Sequence, residues 1–195
     1  MSNSRDKILG NIPNLRISQT VGETVTPVIT WDDRLAKFIE VLRSIGGAVI
    51  ETQSYSGVRE YITQHFDEKQ RVVSMIPLDQ RSVSQTPTLH PFDNVDLCVI
   101  RGHFGISENG AIWVTEDCIP DRVLPFICQH LIIVLSRYEL VNTLHEAYDR
   151  IGALEYDFGT FIAGPSKTAD IEQSLVLGAH GPRTMTVALV EGEAP

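Results

Sequence analysis

Hydrophobic residues recur along the chain at two spacings, which predict helices and strands in alternation. Three- and four-residue spacing predicts an amphipathic helix between a cap at Asp32 or Asp33 and a stop at Gly46, with Leu35, Phe38, Ile39, Leu42 and Ile45 on its apolar face. The same spacing predicts helices over residues 58–65 and 141–151. Short β-rich runs predict strands at residues 48–51, 72–76, 95–100, 112–115, 131–135, 158–163 and 184–190.

The run of residues 131–135 decides the fold class, because it has no polar face. Such a run is typical of a central strand that helices cover on both sides of a parallel sheet. With strands and helices alternating, the prediction is an α/β protein, a three-layer α/β/α sandwich with a mostly parallel sheet. Asn109-Gly110 before an apolar run predicts a tight reversal and an antiparallel edge.

The length of 195 residues fits one compact domain. We expect an N-terminal helix and extended lead-in over residues 1–30, a single α/β domain over 31–191 and a loose tail over 192–195. Residues 78–92 are flanked or interrupted by Pro77, Pro87 and Pro91, which predicts a long irregular loop. Loops of this length often act as lids or partner surfaces.

Charge and composition narrow the function classes. The chain carries 16 basic and 25 acidic residues, a net charge of −9, which disfavours nucleic acid and anionic lipid as partners. No run approaches the roughly 20 apolar residues that span a bilayer, and residues 1–10 lack the apolar core of a secretory signal, so we expect a cytoplasmic protein with no membrane insertion. Cys98, Cys118 and Cys128 are widely spaced, which predicts reduced core thiols and no metal site.

Three cations follow predicted strands directly: Arg101, Arg137 and Lys167. Ligands of open parallel sheets bind beyond the carboxyl ends of strands, so these side chains are predicted to converge at one edge and bind a carboxylate or a phosphate. The alternative is that they are ordinary solvated side chains.

The segment after residues 158–163 contains the densest group of candidate binding residues. Gly164-Pro165 ends the strand, and Ser166, Lys167 and Thr168 precede a predicted short helix over residues 170–174, a pattern that indicates an anion site. No glycine stands where a nucleotide P-loop needs one, and the chain contains no hydrolase elbow, zincin or dinucleotide motif.

Four further residues are candidates for proton transfer or hydrogen bonding to a ligand. Asp170 and Glu172 are carboxylates in the same segment, although Asp170 alternatively caps the predicted helix. His180 lies between Gly178 and Gly181, whose backbone freedom lets the imidazole face either a ligand or solvent. Glu108 precedes the predicted Asn-Gly turn. None of these forms a self-sufficient catalytic motif, so catalysis by this chain stays open.

Two stretches carry a family resemblance. Residues 164–172 read GPSKTADIE and residues 175–182 read LVLGAHGP. The chain thereby resembles the lactate-utilisation protein C family, the LUD-domain proteins, whose pattern is GPSRTADIE followed by LVLG-x-HGP. A looser match covers residues 95–114. Lys167 stands where the family has arginine, which keeps the charge and loses the bidentate fork.

The resemblance implies a fold similar to the sugar-phosphate isomerase and coenzyme A transferase superfamily, and a role in oxidising L-lactate to pyruvate. It implies iron-sulfur partner proteins, with no cofactor bound by this chain. Two functions follow as expectations. The first is a subunit that binds a small carboxylate or phosphorylated ligand at Ser166–Thr168, with Arg101, Arg137, Gly178 and Gly181 also at the site. The second is a non-enzymatic assembly or regulatory subunit for those partners.

Overall fold

The structure, a computed structural model, describes residues 4–5, 10, 29–77, 92, 94–119, 121–152, 154–169, 175–177 and 181–192. The predicted lead-in over 1–30, the loop over 78–92, the short helix over 170–174 and the tail over 192–195 lie wholly or mostly outside these residues. The helices within the described part of the chain are all too short or too polar to span a bilayer.

The described elements alternate as the sequence predicts. The helices are α1 (Arg34–Ser44), α2 (Tyr55–His65), α3 (Leu124–Ile127) and α4 (Leu144–Ile151). The strands are β1 (Ala48–Thr52), β2 (Val72–Ser74), β3 (Leu97–Arg101), β4 (Phe104–Ile106), β5 (Ile112–Thr115), β6 (His130–Ser136), β7 (Leu140–Val141), β8 (Gly159–Ile162), β9 (Lys167–Ala169), β10 (Leu175–Leu177) and β11 (Thr184–Val190). All seven predicted strands and all three predicted helices with apolar spacing are present.

Five of these strands form one parallel sheet in the order β1-β11-β6-β3-β2. The central strand β6 is the predicted all-apolar run, and its side chains alternate between two cores. Leu131, Ile133 and Leu135 pack on the α1 side, whereas Ile132 and Val134 pack on the α2 side. The α/β class with a parallel sheet and helices on both faces is therefore confirmed.

A second sheet, which the pattern did not predict, shares the α1 side. Its strand order is β7-β4-β5-β8, with β5 antiparallel to both β4 and β8. One face joins the core beneath the parallel sheet, and the other packs on α4. The β4–β5 connection is the predicted Asn-Gly reversal: Gly110 has φ +70° and its N–H donates to the Ile106 carbonyl at 2.9 Å.

Two predictions about the segment around residues 158–168 need correction. β8 was expected to be a strand of the parallel sheet, but it pairs antiparallel with β5 in the second sheet. Lys167 and Thr168 were expected at the mouth of a helix, but they lie in β9, which pairs antiparallel with β10. A short apolar run followed by Gly-Pro specifies a strand that ends, and it carries no information about which sheet the strand joins.

Candidate functional site

The carboxyl end of β3 leads directly into the second sheet. The Gly102 N–H donates to the Val134 carbonyl at 2.9 Å, which extends the parallel ladder by one residue, and the next N–H, of His103, donates to the Trp113 carbonyl of β5 at 2.9 Å. A Cβ on Gly102 would lie 2.4 Å from Ile112 Cγ2, so only glycine fits between the two sheets here. This junction places Arg101 and His103 at the edge where α/β proteins bind ligands.

Three polar side chains surround the His103 imidazole. Its Nε2 lies 2.6 Å from Thr115 Oγ1, 3.2 Å from Asp117 Oδ1 and 3.3 Å from Cys118 Sγ. Thr115 Oγ1 also donates to Asp117 Oδ1. We call this set the His103 cluster. His103 leaves β3 while the other three lie at the end of β5, so the β4–β5 hairpin brings them together.

The pKa values of the two acidic groups in the His103 cluster, Asp117 and Cys118, are shifted in opposite directions. Partial burial raises the pKa of Asp117, but the Thr115 hydrogen bond and the charge of His103 outweigh it, and the pKa lies below its ordinary value. Burial raises the pKa of the Cys118 thiol, which is 2% exposed. The cluster thus combines an ionised carboxylate with a thiol that stays protonated unless a cation stabilises the thiolate.

Arg101 and Tyr55 form a second polar group at the same edge. Tyr55 opens α2, and its buried hydroxyl has no hydrogen-bond partner among the described residues. Burial raises the pKa of this phenol and the nearby Arg101 charge partly offsets the rise, so the hydroxyl is a protonated donor at neutral pH. Arg101 donates from Nη2 to the Asp117 carbonyl at 3.2 Å, which ties it to the His103 cluster.

The predicted convergence of three cations at one edge does not occur. Arg137 lies at the same carboxyl edge as Arg101, but its guanidinium pairs with Glu191 at 3.0 Å and with Glu51 at 3.7 Å. Lys167 lies at the opposite end of the sheet, where a Cβ on Gly46, just before β1, would be 3.6 Å from Lys167 Cε. Because β8 belongs to the second sheet, the residues that follow it lie near the amino ends of the parallel strands.

The remaining predicted site residues separate into three groups. Glu108 accepts a hydrogen bond from the Leu144 N–H at 2.8 Å and so caps α4. The Ser166 N–H donates to the Pro182 carbonyl at 2.9 Å, so it is not an open anion donor, and Gly181 packs on this serine. Asp170, Glu172, Gly178 and His180 lie outside the described residues, as does the side chain of Thr168.

A model of the LUD domain matches residues 86–190, more than half of the chain. The chain belongs to the LUD domain family. The fold agrees: a crystal structure of a DUF162 family protein from Deinococcus radiodurans superposes with a TM-score of 0.61 at 21% identity, covering 80% of this chain and 96% of that one. The family resemblance of the sequence motifs is thereby confirmed.

Named relatives of this LUD domain match over a shorter span. An uncharacterised protein, NMB1437, from Neisseria meningitidis serogroup B is 28% identical over 102 residues, which are 51% of this chain and 44% of the relative. A protein from Bacillus pumilus named lactate utilization protein C is 30% identical over 101 residues, 49% of this chain and 42% of the relative. The chain therefore spans less than half the length of these relatives.

Arg101 and the whole His103 cluster lie inside the matched LUD domain, whereas Tyr55 precedes it. Sequence reasoning identified Arg101 as a strand-exit residue but missed Tyr55, Asp117 and Cys118. The available signal was the Asn-Gly hairpin, because its return strand carries residues 115–118 back beside the exit of β3.

Proposed function

We propose that this LUD domain acts in lactate utilisation and binds a small carboxylate, lactate or pyruvate, between Arg101 and Tyr55. The name of the Bacillus pumilus relative, lactate utilization protein C, supports a role in lactate utilisation. The observation that carries the site is the buried Tyr55 hydroxyl, which has no partner among the described residues and lies within electrostatic range of a cation.

A carboxylate suits both side chains. A buried hydroxyl without a partner costs roughly 1–3 kcal/mol, which a ligand oxygen would recover by accepting its hydrogen bond. A guanidinium binds carboxylates through charge-assisted hydrogen bonds, and these are stronger than neutral ones. Arg101 is only half-buried, so a ligand can approach it from the carboxyl edge.

The Tyr55 hydroxyl gives a sharp test, because Tyr55→Phe removes one oxygen and leaves the ring. At 100 times its Kd a ligand adds about 2.7 kcal/mol of stability. For a chain of this size that raises Tm by roughly 5–11 °C. We expect lactate or pyruvate to produce this rise in the wild type and a much smaller one in Tyr55→Phe, whose ligand-free Tm should exceed that of the wild type because the unpaired buried hydroxyl is gone.

Three controls accompany this measurement. Tyr61→Phe, on the same helix where Tyr61 stacks on His65 at 4.1 Å, should respond to ligand like the wild type. Lys167→Ala tests the Ser166–Thr168 site predicted from sequence, and phosphate tests a phosphorylated ligand. A rise that Lys167→Ala abolishes and Tyr55→Phe retains would contradict the proposed site. No rise with any carboxylate would contradict carboxylate binding altogether.

Electron transfer in this scheme belongs to iron-sulfur partner proteins. Four cysteines usually hold such a cluster, and this chain has three, all buried and free. Free buried thiols also support the cytoplasm as the working compartment. We expect the tagged chain to recover iron-sulfur proteins from lactate-grown cells. Recovery of none, with the tagged chain folded, would contradict this part of the proposal.

A further inference from the structure

The His103 cluster brings three metal-binding side chains of different chemistry to one point. The imidazole Nε2, the Asp117 carboxylate and the Cys118 Sγ all lie within 4.8 Å of one another. Nitrogen, oxygen and sulfur are the donors that Zn²⁺ takes in proteins. No other group of three such side chains is found in the described part of the chain.

Two of the three ligand-atom separations in the cluster are close to the edges of a coordination tetrahedron. With ordinary zinc bond lengths, neighbouring nitrogen and sulfur ligands lie about 3.6 Å apart, and nitrogen and oxygen ligands about 3.4 Å apart. The observed separations from His103 Nε2 are 3.3 Å to Cys118 Sγ and 3.2 Å to Asp117 Oδ1. The third separation, between the ligand atoms of Asp117 and Cys118, is within 4.8 Å, so side-chain movements alone can bring all three atoms to one ion.

Hydrogen bonds to the main chain of Asp117 and Cys118 hold these two ligands in place before any ion arrives. The Arg101 N–H donates to the Cys118 carbonyl at 3.4 Å and its Nη2 donates to the Asp117 carbonyl, so both ligands are fixed to the end of β3. The Cys118 N–H closes a turn onto the Thr115 carbonyl at 3.0 Å. The Thr115 hydroxyl also donates to Asp117 Oδ1, and outer contacts of this kind to a ligating group orient metal ligands and raise their affinity.

The three side chains differ in exposure to solvent, as expected for a metal site with one open position. Cys118 is 2% exposed, the His103 side chain is 33% exposed and the Asp117 side chain is 63% exposed. The sulfur is thus shielded while the carboxylate side faces solvent. Three protein ligands with one open position are typical of zinc sites that bind water or substrate.

We infer that His103, Asp117 and Cys118 bind a divalent transition-metal ion of the zinc type, with the fourth position open. Thiolate, carboxylate and neutral imidazole together balance the two charges of the ion. Binding releases the thiol proton, so affinity rises with pH. The inference does not rest on lactate binding, because it concerns the ion alone.

Cobalt substitution tests the site directly. The full chain is stripped with a chelator under a phosphine reductant and titrated with Co²⁺, whose thiolate charge-transfer and visible bands report sulfur ligation and tetrahedral geometry. We expect one Co²⁺ per chain, with both bands present and displaced by Zn²⁺. Cys118→Ser should lose the charge-transfer band. Asp117→Asn, which changes an exposed side chain, should weaken Zn²⁺ binding at least about 10-fold, since outer-shell changes alone cost 10–100-fold.

Cys128→Ser is the matched control, because Cys128 is also a buried thiol but lies outside the cluster. It should keep both bands. Circular dichroism checks that each variant is folded, and Asp117→Asn provides the test if Cys118→Ser does not fold. A folded wild type that takes up no Co²⁺ overturns the inference. A charge-transfer band that Cys128→Ser loses, or full affinity in Asp117→Asn, overturns it equally.

Discussion

Glu108 was predicted as a candidate for proton transfer or ligand binding, but its hydrogen bond indicates a structural role. Its carboxylate accepts the Leu144 N–H at 2.8 Å, one of the donors that the first turn of α4 leaves unpaired. The same helix start is capped by Thr143, whose Oγ1 accepts from the Glu146 N–H at 3.3 Å. Glu108 therefore joins the β4–β5 turn to α4, and its removal should destabilise the fold.

The size of the effect follows from the geometry. Losing a cap acceptor costs about 0.5–2 kcal/mol. A hydrogen bond to a charged group contributes more when buried, but Glu108 is exposed, so we expect about 1 kcal/mol for Glu108→Ala. That lowers Tm by roughly 2–4 °C for a chain of this size. Glu108→Gln keeps an oxygen acceptor and should lose less.

Thermal and urea unfolding measure this change. Glu155→Ala is the control, because Glu155 is exposed and the structure gives it no hydrogen bond within the described residues; its Tm should not change. Equal stability of Glu108→Ala and the wild type would refute the capping role. If that variant also lost the Tm rise with lactate or pyruvate, Glu108 would instead belong to the binding site.

Three further predictions test the fold and its pH dependence. Gly164→Ala should destabilise by about 1–3 kcal/mol in urea unfolding, because Gly164 has φ +71° and a Cβ there would lie 3.0 Å from the Ile45 carbonyl oxygen; a stable variant would contradict this packing. Backbone N–H donors, led by that of Asp157, lower the pKa of Glu116, so its stabilisation is complete above pH 4.5 and is lost as pH falls through the lower folded pKa. Glu116→Gln should flatten this acid limb, and an unchanged limb would disagree. Burial lowers the pKa of His130 below its ordinary 6.5, so protonation opposes folding; as pH falls below 6.5, and before Glu116 titrates, the wild type should lose stability and His130→Gln should not.

Features set by local pattern were predictable from the sequence. Residues 131–135 of β6 are all apolar because both faces of the strand are buried, and this burial is visible in the sequence pattern. Gly110 adopts the positive φ that the Asn-Gly turn requires, so the hairpin followed directly. The caps of α1 were equally local, since the Asp33 side chain accepts from the Ala36 N–H at 2.9 Å.

Features set by strand pairing were not predictable in the same way. β7 consists of Leu140 and Val141 and is defined by its pairing with β4. Two residues are too few to show a hydrophobic periodicity in the sequence. The partner of β8 was likewise hidden, and with it the end of the sheet that Lys167 occupies. The His103 cluster depends on the register of β4 against β5, which is a property of two strands together.

A crystal structure of the chain grown with pyruvate tests the proposed carboxylate site most directly. The account predicts electron density for a carboxylate within hydrogen-bonding distance of the Tyr55 hydroxyl and the Arg101 guanidinium, at the carboxyl ends of the parallel strands. Density over Ser166 and Lys167, at the opposite end of the sheet, with nothing beside the Tyr55 hydroxyl, would contradict it.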